Sequence, residues 1–204
     1  MNKTAVSTLI GAVVLAASSA ASAYEAGDII VRAGVASVQP TETMEAGSTL
    51  DTLNGGLGNN EQLGITASYM LTDKLGLELL AATPFKHDIT ANGTKIGDTK
   101  HLPPTLSLQY YPMDTQSALQ PYVGVGVNYT TFFSEESTLG DLKLDDSWGL
   151  AAQAGVDYAV SDNVVLNAAV WYIDIDSDAS LNGADIGTVE IDPWVYMVGV
   201  GYKY

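Results

Sequence analysis

From Ile29 onward, apolar and polar residues alternate singly, segment after segment, with little sign of helical spacing. A strand sends successive side chains to opposite faces, so a period of two predicts strands with one apolar face. Eight segments carry the pattern, at about 28–38, 62–71, 75–86, 102–111, 120–133, 145–160, 163–176 and 189–204. The links between them differ in length. Three are short (Thr72 to Lys74, a turn between Pro112 and Leu119, and Ser161 with Asp162), and four are longer, at 39–61, 87–101, 134–144 and 177–188. Short turns at one end and long loops at the other mark an up-and-down outer-membrane barrel. The expected fold is all-β: an eight-stranded antiparallel transmembrane barrel.

The two faces of each strand say which side meets lipid. In the last segment Trp194, Tyr196, Val198, Val200, Tyr202 and Tyr204 alternate with Val195, Met197, Gly199, Gly201 and Lys203. Aromatics at both ends of the first set, with valines between them, form an apolar band between two interfacial girdles. The second set is small or polar, which suits a narrow lumen. By the same alternation Arg32, Glu78, Gln109, Gln153, Asp157, Asn167 and Lys203 point inward. A buried charge needs a partner, so Arg32 is expected to meet Glu78 or Asp157. With Gln109, Gln153 and Lys203 they should close the lumen as a polar plug. Leu80 and Trp171 also point inward. Either they line an apolar pocket in the outer half, open to hydrophobic solutes, or they fill the barrel as inward side chains do.

Pro103 and Pro104 stand at the head of the fourth segment, and Pro84 lies late in the third. Proline donates no backbone hydrogen bond and is confined to edges, ends and bulges of sheets. The loop between these segments centres near residue 93, which puts Pro84 roughly opposite Leu102 and Pro103. One seam of the wall then lacks donors on both sides. It is expected to be a lateral opening into the outer leaflet, unless the wall has already ended there and the prolines only frame a loop.

Composition narrows the setting. Residues 1–23 combine Lys3, an apolar stretch from Leu9 to Ala17 and the small residues Ala21-Ser22-Ala23, the pattern of a cleaved signal peptide. The barrel is then expected to span 24–204. There is no cysteine, so thiol catalysis and cysteine metal sites are excluded. The formal charge is −16, and a leader whose only charged residue is Lys3 takes one positive unit with it when removed. So acidic a chain, with no basic patch, repels nucleic acid. His87, Asp88 and His101 flank one loop, too sparse a set for a hydrolase or a metal centre. Asp174, Asp176 and Asp178 resemble the start of a calcium loop, but Ala179 stands where that loop needs glycine. No catalytic, cofactor or metal site is expected, and no enzyme activity.

Several stretches together resemble the OmpW family of bacterial outer-membrane proteins. They include Tyr24-Glu25-Ala26-Gly27-Asp28, Arg32-Ala33-Gly34, the run from Glu78 to Phe85, His101-Leu102-Pro103-Pro104-Thr105, the run from Asn128 to Phe133, Val170-Trp171-Tyr172-Ile173 and Asp192-Pro193-Trp194. The resemblance implies an outer-membrane barrel passively conducting small hydrophobic compounds past lipopolysaccharide. The expected partners are outer-membrane lipid, lipopolysaccharide and such solutes. Two alternatives stay open: a structural or surface-interaction barrel that transports nothing, and a small ion-conducting channel.

Overall fold

The computed structural model describes residues 24–41, 43–44, 48, 55–57, 60–83, 85–91, 94–138 and 140–204. The expected leader, 1–23, and Pro84 lie outside the described residues. The described strands are, in chain order, β1 (Ile29–Gln39), β2 (Thr43–Met44), β3 (Gly55–Leu57), β4 (Asn60–Thr72), β5 (Leu75–Ala82), β6 (Phe85–Ala91), β7 (Thr94–Leu102) and β8 (Thr105–Tyr110). They continue with β9 (Leu119–Ser137), β10 (Leu142–Leu144), β11 (Ser147–Ala159), β12 (Val164–Ile173), β13 (Asp176–Leu181), β14 (Ala184–Glu190) and β15 (Trp194–Lys203).

Eight of these are the staves of a closed antiparallel barrel: β1, β4, β5, β8, β9, β11, β12, β15 and back to β1. Closure pairs the last stave with the first over ten positions, from Ile30↔Lys203 to Gln39↔Trp194. Closing the sheet removes its edges, which is what allows strands to sit in hydrocarbon. The lipid-facing set follows the alternation: Val125, Val198, Leu150 and Val35 are all more than half exposed on the outer wall. Aromatic pairs sit at both ends of this band. Tyr129 and Trp148 (4.8 Å between ring centroids) and Tyr172 and Trp194 (5.3 Å) mark the outer end, and Tyr202 and Tyr204 (4.7 Å) the periplasmic end.

The outer loops differ from the expectation of irregular chain. The third expected segment breaks after Ala82, and β6 and β7 form a hairpin that prolongs the wall against the upper part of β9. The fourth stave begins at Thr105, not near 102. The loops at 134–144 and 177–188 contribute β10, β13 and β14 to a second sheet, ordered β10-β13-β14-β2. These segments are short and carry few apolar residues, with Leu142, Ala179 and Val189 buried, so they show no long apolar alternation. Backbone pairing needs none. The last stave begins at Trp194, not near 189, because Pro193 has no N–H and Asp192 turns the chain with φ +36°.

Inside the barrel, glycines on the inner faces let large side chains cross from one stave to the next. A Cβ at Gly155 would lie 2.4 Å from the Tyr122 ring, and one at Gly124 would lie 2.8 Å from Gln153 Cγ. The lumen is therefore filled by interdigitated side chains, and its contents decide what can pass.

Candidate functional site

The centre of the lumen holds one guanidinium and two carboxylates, all buried. Arg32 on β1 donates through Nε to Asp157 Oδ1 (3.0 Å) and through Nη2 to Asp157 Oδ2, a two-pronged pair. Its Nη1 donates to Ser68 Oγ (2.8 Å) and Glu78 Oε2 (3.3 Å), and Nη2 also reaches the Tyr111 hydroxyl (3.0 Å). The shell closes around that core. The Tyr24 hydroxyl donates to Asp157 Oδ2 (2.6 Å), and Asn167 Nδ2 donates to Asp157 Oδ1 (2.8 Å) and the Tyr122 hydroxyl (3.0 Å). Ser68 and Tyr111 both donate to Gln109 Oε1, and Gln109 Nε2 donates weakly to Gln153 Oε1 (3.4 Å).

Strand geometry explains why these residues meet. Arg32 lies on β1 across from Gly201 of β15, whose lack of a side chain leaves space beside the arginine stem. Glu78 is opposite Ser68 on β4 and Ser107 on β8, and Asp157 is opposite Asn167 on β12. Each carboxylate thus has a hydroxyl or amide as ladder neighbour. Ion pairs so deeply buried hold best when the remaining lone pairs are also met; a hydroxyl and an amide meet those of Asp157, while Glu78 accepts only at Oε2. Tyr111 packs against Tyr24 (5.2 Å) and Tyr122 (5.1 Å), whose ring lies under the Arg32 guanidinium at 5.5 Å. This network spans the lumen from β1 to β11 and from β4 to β8.

The structure places the named residues as follows. Arg32, Glu78, Asp157, Gln109 and Gln153 come together in the plug. Lys203 sits at the periplasmic rim, its Nζ 3.8 Å from Asp28 Oδ2, bordering a small void with Tyr24 and Asp157. Tyr24, Ser68, Tyr111 and Tyr122 also belong to the plug and were not singled out. The sequence signal for Ser68, Tyr111 and Tyr122 was the same inward parity, whereas Tyr24 precedes the first strand and carries no parity at all. Side chains of His87, Asp88 and His101 lie outside the described residues. Carboxylate oxygens of Asp174, Asp176 and Asp192 lie within 4.8 Å of one another where the chain passes between the barrel and the outer sheet, while Asp178 accepts instead from Thr188 Oγ1 (2.6 Å).

Above the plug the lumen turns apolar. Leu80 and Trp171 are buried, as are Ile173, Val195, Met197 and Ala36. A void of about 10 Å³ lies between Ala36, Leu80, Ala82, Pro103, Ile173 and Val195. Beside it the wall is interrupted. The β5–β8 ladder ends at Leu80↔Thr105, and pairing across this seam resumes only at Phe85↔His101. Ala81, Ala82 and Thr83 on one side, and Leu102, Pro103 and Pro104 on the other, form no rungs with each other. Neither proline has an N–H to give. Pro104 instead turns its carbonyl to β9, accepting from Tyr129 N (3.1 Å) and Asn128 Nδ2 (3.2 Å).

The comparisons with known proteins agree with this architecture. The OmpW family profile matches residues 25–204. The chain belongs to the OmpW family. It is 48% identical to outer membrane protein W of Vibrio cholerae, over 97% of this chain and 99% of that one. It is also 48% identical to outer membrane protein W of Escherichia coli K12, over the whole of both chains. The crystal structure of the outer membrane protein OprG from Pseudomonas aeruginosa superposes with a TM-score of 0.80 at 42% identity, covering 89% of this chain and 98% of that one. An OmpW-family barrel belongs in the outer membrane of a Gram-negative cell, and the closed wall, apolar band and aromatic girdles are what that location requires.

Proposed function

We propose that this OmpW-family barrel is a passive conduit for small hydrophobic molecules. A solute enters from the outer mouth, rests against Leu80 and Trp171, and leaves sideways between Pro103, Pro104 and the stretch ending at Pro84. The observation that carries this reading is the coincidence of three features at one height. An apolar lumen lies there, the polar plug closes the way below it, and the ladder at its side has lost its rungs. A charged network at the centre disfavours apolar solutes because its groups would lose partners on opening. The interrupted seam offers a route whose far side is hydrocarbon.

The test restores donors to the seam. Pro103→Ala with Pro104→Ala returns two N–H groups, that at 103 facing the seam opposite Ala82 and that at 104 on the β9 side, where the Pro104 carbonyl already pairs. Each new rung is worth about 0.5–1.5 kcal/mol in ordinary terms. The double variant should therefore unfold in detergent at the same or higher urea concentration than the parent. It should also deliver a hydrophobic solute into liposomes more slowly. A folded double variant with the parent's uptake would show that solutes do not use this seam. Lower stability with unchanged uptake would identify the prolines as loop stiffeners, which act by restricting the unfolded chain.

A further inference from the structure

Tyr24 precedes every strand, yet it is a member of the plug. It is 3% exposed, its hydroxyl donates to Asp157 Oδ2 (2.6 Å), and its ring meets Tyr111 edge-on at 5.2 Å. The next residues tie it in place. Glu25 N donates to Asp28 Oδ2 (2.9 Å), Ala26 N to Asp73 Oδ1 (3.0 Å) and Gly27 N to Met70 O (2.8 Å). Gly27 turns the chain at φ +100°, where a side chain would be strained. The backbone nitrogen of residue 24 is therefore held one tyrosine's length from Asp157. A void of about 10 Å³ lies beside it, bordered also by Asp157, Asp162 and Lys203. The charges here do not balance. Among the described residues, the network and this void hold two cations, Arg32 and Lys203, with four carboxylates, Glu78, Asp157, Asp28 and Asp162. Buried carboxylates in excess of cations are costly.

We propose that the Ala23–Tyr24 bond is a processing site whose hydrolysis completes the plug, because the ammonium freed at Tyr24 joins the Arg32–Glu78–Asp157 network as a second cation. This stands apart from the conduit reading and concerns how the lumen is closed. The small residues Ala21 and Ala23 are what a membrane peptidase of the export route reads. Water adds across the amide and the C–N bond breaks. Ala23 keeps the oxygen as a carboxylate, and the nitrogen of Tyr24 takes the protons. Before the step that nitrogen is an uncharged amide, and the Arg32–Glu78–Asp157 group carries one net negative charge. After it, a positive charge stands beside Asp157 in a setting of low dielectric, where attraction is stronger than in water. The side chain of the same residue already anchors there, so the new charge needs no further ordering of the chain.

The test follows that amine chemically. The full chain is exported and processed in cells, and the folded barrel is purified in detergent. End-group sequencing should begin at Tyr24, and any other first residue would overturn the proposal. An N-hydroxysuccinimide ester of acetic acid then acylates amines at pH 7.5, with the exposed Lys143 as internal standard. Relative to Lys143, the Tyr24 amine should react about tenfold or more slowly in the folded barrel than in the same chain unfolded in urea. Burial alone would also slow it, so charge variants decide. Glu78 bonds to Arg32 and Ser68 and not to Tyr24, so Glu78→Gln removes a negative charge and leaves the tyrosine's contacts alone. Asp157→Asn removes the nearer charge. Each, in barrels that still migrate as folded in unheated gels, should speed the folded-state reaction about threefold or more. An unchanged slow rate in both would overturn the ammonium's place in the network and leave Tyr24 as packing. The step itself is tested with Ala21→Leu and Ala23→Leu, which keep the bond intact. Leader-bearing and processed chains are refolded from urea into the same detergent. The leader-bearing barrel should unfold at lower urea, and Glu78→Gln should narrow the gap. Equal midpoints would show that cleavage adds nothing to the plug.

Discussion

Arg32 is the residue on which the lumen turns. It is fully buried and is shared by two carboxylates, Glu78 and Asp157. Replacing one member of such a group leaves the others charged and unpaired, which typically costs about 3–5 kcal/mol. Arg32→Met keeps much of the side-chain volume and removes the cation, so the variant should unfold at markedly lower urea in detergent micelles than the parent. Coupling can be read from the triple variant Arg32→Met, Glu78→Gln, Asp157→Asn. Its uncharged plug should recover most of the loss, because replacing a whole buried ion group by neutral residues is often close to neutral. A single variant as stable as the parent would mean that the ion pairs are held too loosely to matter. The partners of Arg32 were legible in the sequence because charge and strand parity together admit few inward carboxylates. The tyrosines around them were not, since Tyr24 lies before any periodic segment and an inward tyrosine looks like ordinary filling.

At the level of elements, alternation read the eight staves and missed most of the outer sheet. A stave in lipid must present an apolar face, so its period is written in the residues. The hairpin from Asp176 to Glu190 buries only a few scattered apolar residues, Ala179 and Val189 among them, too few to write a long apolar period in the sequence. The seam was legible for a different reason. Proline removes a donor wherever it stands, so Pro103 and Pro104 announce a missing rung even when the strand ends are uncertain. The same outer hairpin carries a pH signature. Partial burial, then the charges of Asp174, Asp192, Glu190 and Asp178, hold the Asp176 carboxyl above the usual aspartate range. A raised folded pKa means that the group favours the folded hairpin below the ordinary aspartate value of about 3.9. That contribution is lost as pH rises through the folded value. Asp176→Asn should therefore protect the β13–β14 amides from hydrogen exchange more than the parent at pH 7, with the difference vanishing toward pH 3. A difference that grows as the pH falls would contradict the repulsion argued here.

For the molecule as a whole, the placement of the plug separates two kinds of traffic. Ions need a continuous wet path from mouth to rim. Here the path is crossed at the centre by Arg32, Tyr111 and Tyr122, among the largest fully buried side chains described. Arg32 pairs with both carboxylates at hydrogen-bond distance, which leaves one net negative charge in the network. Hydrophobic solutes, on the proposed route, never reach that level, because they turn into the wall at Leu80 and Pro103. The two transport modes should then respond to different changes. Parent barrel in planar bilayers should show no stable ohmic steps in molar potassium chloride, while the same preparation in liposomes accelerates uptake of a hydrophobic solute. Removing bulk from the plug with Tyr111→Ala and Tyr122→Ala should bring conductance steps without slowing that uptake, provided the barrel still migrates as a folded species in unheated detergent gels. The seam variant Pro103→Ala with Pro104→Ala should do the reverse, slowing uptake and leaving the bilayer silent. Steps of ordinary channel size in the parent would favour the ion-channel alternative, since a plug that passes ions freely cannot be what sends apolar solutes sideways.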